Sequence, residues 1–112
     1  MDAGTPAPLR MVLVRGRSML PALRPGDRLL VRQGRAPRVG DVVLARLRDG
    51  TVVVKRVTAR HERGWWLLSD NAEEGAGDSR AYGVVRPDDV LGVVLVRLWP
   101  RPGRVPRARP RL

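Results

Sequence analysis

Turn signals interrupt this chain faster than helices can be built. Short runs rich in Val and Leu are cut off repeatedly by "LRPGD", "RVGD", "RDG", "ERG", "EEGAGD" and "RPDD". Gly, Pro and Asp favour turns for separate reasons: positive φ, a fixed φ, and side-chain hydrogen bonds to the local backbone. Apolar runs bounded by such clusters read as strands. The runs are residues 11–15, 28–32, 41–48, 51–59, 65–69, 81–85 and 90–99. "RDGT" between two Val-rich runs suits a hairpin, because Asp-Gly accommodates a tight turn. Only residues 19–23 suggest a helical turn. The expectation is an all-β domain of about seven short strands, arranged as a small closed or partly open barrel. A length of 112 residues with no internal repeat fits one domain.

Composition then narrows the function. There is no cysteine, which excludes disulfides and thiolate metal sites. The formal net charge of +11 invites a nucleic-acid reading, but its distribution weakens that idea. "RPGRVPRARPRL" at the C-terminus carries five Arg and no acid, leaving 17 basic against 11 acidic side chains in residues 1–100. The organisation read from this is an extension over residues 1–10, a domain over 11–100, and a disordered Arg/Pro-rich tail over 101–112. "MVLV" is the only apolar run near the N-terminus, too short for a signal peptide or a membrane span. The expected location is the cytoplasm.

Position 55 is the most informative in the chain. Lys55 is the only lysine beside 21 arginines, and it stands in "VVVKRV". Arginine does not deprotonate in proteins, whereas a desolvated lysine can. Alternation along 51–59 places Val53, Lys55, Val57 and Ala59 on one face. Val52, Val54, Arg56 and Thr58 take the other, more polar face, with Arg56 as an ordinary basic residue. Burial on the apolar face lowers an amine's pKa. The competing reading is a packed stem whose ammonium reaches water.

A lysine base needs a nucleophile within reach. Ser18 stands in "RGRSMLPALRPGDRLLV", after a strand and Gly16 and before a sharp turn. Such a turn can expose a hydroxyl and leave backbone N–H groups free for an oxyanion. His61, the only histidine, lies in the polar turn "RHERG" and reads as exposed. Without histidine, a Ser/Lys dyad is the economical hydrolytic arrangement.

The blocks "SMLPALRPGDRLLV", "VGDVVLAR", "VVVKRV", "SDNAEEGAGDSRAYGVV" and "VLGVVLVRLWP" resemble, in order, the motifs of the type I signal peptidases, the S26 serine peptidases. The resemblance covers roughly residues 11–100. It implies Ser18 as nucleophile and Lys55 as general base, with no metal or organic cofactor. Asp78 and Arg80 of "DSR" match a pair that braces the site. Asp70 and Asn71 match the "GDN" turn, with Ser69 in place of its glycine. Ala76 stands where many relatives have a serine that orients the lysine. Gly16 stands where some have a serine oxyanion donor, which leaves a backbone oxyanion hole built on the Ser18 N–H. The amine of Lys55 is then left to a backbone carbonyl, water or Ser79.

The compact form is similar to the soluble S26 branch called nickel-type superoxide dismutase maturation proteases. The implied partner is a precursor polypeptide, a superoxide dismutase precursor whose N-terminal extension is trimmed. Two rivals stand beside this reading: a LexA-like regulatory peptidase, and a non-catalytic basic β-barrel that binds nucleic acid through its exposed aromatics.

Overall fold

Period-two alternation closed by tight turns gives antiparallel pairing. The computed structural model describes residues 8–74 and 77–107. Within them lie β1 (Leu9–Leu13), β2 (Arg28–Gln33), β3 (Val42–Arg46), β4 (Val52–His61), β5 (Gly64–Leu68) and β6 (Val90–Trp99). All pairings are antiparallel, in the order β1-β2-β6-β3-β4-β5. The all-β expectation holds, but the sheet is not closed: β1 and β5 are its edges. No helix among the described residues is long and apolar enough to cross a membrane.

The "RDGT" hairpin joins β3 to β4 as its turn chemistry requires. Gly50 takes φ of +90°, and the Asp49 carboxylate accepts the Thr51 N–H at 3.0 Å. Leu47 N–H closes the turn on the Thr51 carbonyl at 2.8 Å. β4 then changes partner along its length. Residues 52–56 pair with β3 and residues 56–61 with β5, with a register irregularity between Val57 and Ala59. Among the described residues, no strand pairs with the outer edge of residues 52–55.

Two apolar clusters fill the two faces of the twisted sheet. Val14, Met19, Leu23, Leu29, Val31, Val42, Leu44 and Val94 form one. Val43, Ala45, Leu47, Val57, Leu67, Val85 and Val93 form the other. β3 feeds both, sending Val42 and Leu44 one way and Val43 and Ala45 the other. A strand buried on both faces loses its polar alternation, which is why "VVLA" reads as a continuous apolar run.

The run at 81–85 is not a seventh strand. Asp78 caps a short helix, α1 (Ser79–Tyr82), by accepting the Arg80 N–H at 3.0 Å, and Gly83 ends it at φ of +79°. Only Val85 retains strand character, in an isolated bridge with Trp65. A local cap outcompetes a short apolar run, because it satisfies helix N–H groups that the run alone cannot. The expected disordered tail also differs over residues 101–107. Gly103 bridges to Arg97, Val105 packs on the first cluster, and Arg107 donates to Asp41 Oδ1 at 2.6 Å and to the Val39 carbonyl. Residues 108–112 lie outside the described residues.

Candidate active site

Ser18 lies in the loop between β1 and β2, and its neighbours fix that loop. Met19 and Leu23 are buried in the first apolar cluster, at 2% and 0% exposure. Burying a side chain of this kind stabilises by about 1.5–3 kcal/mol. The loop backbone is therefore held at Met19 while Ser18 stays half-buried at the surface. Leu23 N–H reaches the Met19 carbonyl at 2.9 Å, giving the expected helical turn. Gly16 takes φ of +75°, a conformation glycine adopts without steric cost. Among the described residues, the backbone N–H groups of Ser18 and Met19 have no hydrogen-bond partner.

Lys55 reaches the same place from β4. It is buried, at 4% exposure. A groove of about 460 Å³ is lined by Ser18 and Lys55 together with residues of β1 and the first part of β4. Met19 and Leu44 contribute to its floor, and Arg10 and Arg15 stand along the β1 side. The groove thus runs between two strand edges that lack a neighbour, with a hydroxyl and an amine lining it. Ser18 and Lys55 share no hydrogen bond with each other. Catalytic hydrogen bonds are often long before substrate binds.

The turn after β5 connects these two parts. Ser69 Oγ accepts a hydrogen bond from Lys55 Nζ at 3.0 Å. Asp70 forms a two-point pair with Arg56: Nε at 3.1 Å from Oδ1 and Nη2 at 2.7 Å from Oδ2. Asn71 donates its N–H to the Ser18 carbonyl at 2.8 Å and its Nδ2 to the Arg17 carbonyl at 3.1 Å. Three consecutive side chains therefore hold the lysine, β4 and the serine loop.

Asp78 closes the network from below. Its carboxylate is fully buried and accepts the Ser69 N–H at 3.0 Å, the Arg80 N–H at 3.0 Å, and Arg80 Nη2 at 2.9 Å. Burial alone would raise the pKa of this carboxyl. The hydrogen bonds from Arg80 and Ser69 outweigh burial and hold the group ionised below its ordinary range. Lys55 shifts in the direction a base needs. Burial lowers its pKa, the Asp78 carboxylate opposes that, and Arg80 adds to the lowering.

Two expectations need correction. Arg56 is not an ordinary solvated cation. It is 4% exposed, and its Nη1 donates to the Gly40 carbonyl at 2.9 Å and to the Pro106 carbonyl at 2.6 Å, besides the Asp70 pair. The alternation of faces was right, but a second layer of turn and C-terminal backbone covers the face on which Arg56 lies. Ser79 does not orient Lys55, because its Oγ is buried and accepts the Leu67 N–H at 2.9 Å. Ala76 lies outside the described residues. The role of Ser69 was missed, and its one signal is a hydroxyl where the resemblance expects glycine. His61 is exposed as expected. Among the described residues, no group of three or more His, Cys, Asp or Glu is placed to hold a metal ion.

Residues 2–86 match the family model described as Peptidase S24-like. The matched span carries the serine loop, the lysine strand, the Ser69 turn and the Asp78 cap. No curated protein matches the sequence.

Proposed function

The chain belongs to the Peptidase S24-like family, and from that premise we propose that it is a serine endopeptidase working through a dyad of Ser18 and Lys55. The observation that carries the reading is the joint lining of one groove by a half-buried serine and a buried lysine. Only a neutral amine can accept a proton, and the surroundings of Lys55 favour that form.

An extended substrate segment pairs with the free edges of β1 and of residues 52–55. Lys55 Nζ takes the hydroxyl proton of Ser18 as Oγ attacks the scissile carbonyl carbon. The resulting oxyanion is held by the free N–H groups at Ser18 and Met19; one such donor is worth about 3 kcal/mol in comparable sites. The Lys55 ammonium returns its proton to the leaving amine. Water, deprotonated by the same lysine, then hydrolyses the acyl-enzyme. Asp78 and Arg80 hold the architecture as an ion pair and take no part in proton transfer.

The substrate proposed on the signal peptidase-like resemblance is a precursor with an N-terminal extension, a nickel-type superoxide dismutase precursor, processed in the cytoplasm. The S24-like match favours a second reading, a LexA-like peptidase that cuts a segment of its own chain. One incubation separates them. The native protein is mixed with the dismutase precursor, and the N-termini of both chains are read by mass spectrometry. The expected result is a single cut that releases the extension and is absent with Ser18→Ala. A cut in the peptidase itself, with the precursor intact, would overturn the precursor assignment and favour self-cleavage.

A further inference from the structure

A dyad needs its amine aimed as well as neutral. A neutral lysine has two N–H bonds and one lone pair at the end of a flexible four-carbon stem. Proton transfer from Ser18 occurs only when that lone pair points into the groove. Something must therefore use an N–H and stop the amine turning.

Among the described residues, one hydrogen-bond acceptor meets Lys55 Nζ, and it is Ser69 Oγ at 3.0 Å. The nearby alternative is occupied, since Ser79 Oγ accepts the buried Leu67 N–H. Ser69 is itself held on both sides. Its N–H is bound by the fully buried Asp78 carboxylate. The next two residues are clamped, Asp70 by Arg56 and Asn71 by the Ser18 loop. The backbone that carries the Ser69 hydroxyl is thus a fixed reference point for the amine.

We propose that Ser69 is the positioning residue of the base, fixing one N–H of Lys55 so that its lone pair faces Ser18. The proposal rests on the reading of Ser18 and Lys55 as a dyad. It relocates the orienting hydroxyl to the turn after β5, on a residue that also links the serine loop to the Asp78 cap. The ionic groups acting on Lys55 are Asp78, which favours the ammonium, and Arg80, which opposes it. Ser69 Oγ, as an acceptor, also favours the ammonium. Its removal therefore lowers the apparent pKa of the base.

The test is the pH profile of kcat and KM for native protein, Ser69→Ala, Ser69→Gly, Ser69→Thr and Ser18→Ala. The substrate is the best-cleaved member of a fluorogenic octapeptide library. Loss of orientation should lower kcat by about 10²-fold in the Ala and Gly proteins, with KM changed less than about twofold. The acid limb should move to lower pH, and Ser69→Thr should recover most of the rate. A native kcat and an unmoved limb in either folded Ala or Gly protein overturn the positioning role and leave the dyad intact. Cleavage by Ser18→Ala overturns the dyad itself. If Ser69→Ala is then inactive while Ser18→Ala cleaves, Ser69 is the nucleophile and the proposal falls with it.

Discussion

Lys55→Arg should retain the fold and lose peptide cleavage by about four orders of magnitude or more, the scale on which losing one member of a catalytic unit acts. Charge is preserved by this change, and basicity in the useful range is removed, because a guanidinium does not deprotonate in a protein. Arginine is also bulkier, and the site is buried, so Lys55→Met is the companion variant. It matches the stem and carries no amine. It should be equally inactive and at least as stable as the native chain, since no group then has to lose its hydration on folding. The pH dependence of stability supplies a second check. The pKa of Lys55 is lowered in the folded state, so between that value and lysine's ordinary one the unfolded chain binds more protons. Stability should rise with pH across that window and be fully gained above lysine's ordinary pKa. Lys55→Met should flatten that rise. Thermal unfolding at a series of pH values, alongside peptide cleavage, reads both effects.

Replacing Arg56 with leucine should be the most destabilising single change near the site. The Arg56 to Asp70 pair is 2.7 Å long, with the two side chains only 5% and 19% exposed. Removing one partner of a buried pair costs about 3–5 kcal/mol, because the remaining charge is left uncompensated. Two backbone carbonyls, of Gly40 and Pro106, lose their donor at the same time. For a domain of this size the melting temperature should fall by roughly 15 °C or more. Arg56→Leu combined with Asp70→Leu should lose less than Arg56→Leu alone, since no orphaned charge remains. Cleavage should also fall in the single variant, because the turn carrying Ser69 and Asn71 loses its central anchor. An unchanged melting temperature in Arg56→Leu would show that the pair contributes nothing net.

Much of the fold was legible because it is written in local chemistry. Strand runs and their Gly, Pro and Asp terminators are contiguous signals, and six of the seven predicted runs overlap strands with only small shifts at their ends, the run at 41–48 being trimmed to Val42–Arg46. The run at 81–85 failed because the signal that beat it, the Asp78 cap, lies outside the run. Lys55 was legible because it is the only lysine in the chain. Arg56 was not, because nothing local separates one buried arginine from the exposed or half-exposed arginines among the described residues. Its importance depends on Asp70, fourteen residues away, and on the C-terminal segment. Ser69 was hidden for a similar reason. A hydroxyl becomes a positioning group only once β4 and the turn after β5 are adjacent.

Six strand runs and one unusual lysine thus lead to a groove, and the proposed dyad predicts which of its oxygens becomes acylated. The direct measurement is peptide mapping by mass spectrometry after acid quench of the native protein turning over a peptide that it cleaves. The acyl group should be found on Ser18, and Lys55→Met should carry none. Acylation of Ser69, or steady cleavage with no acyl group on Ser18, would contradict the dyad.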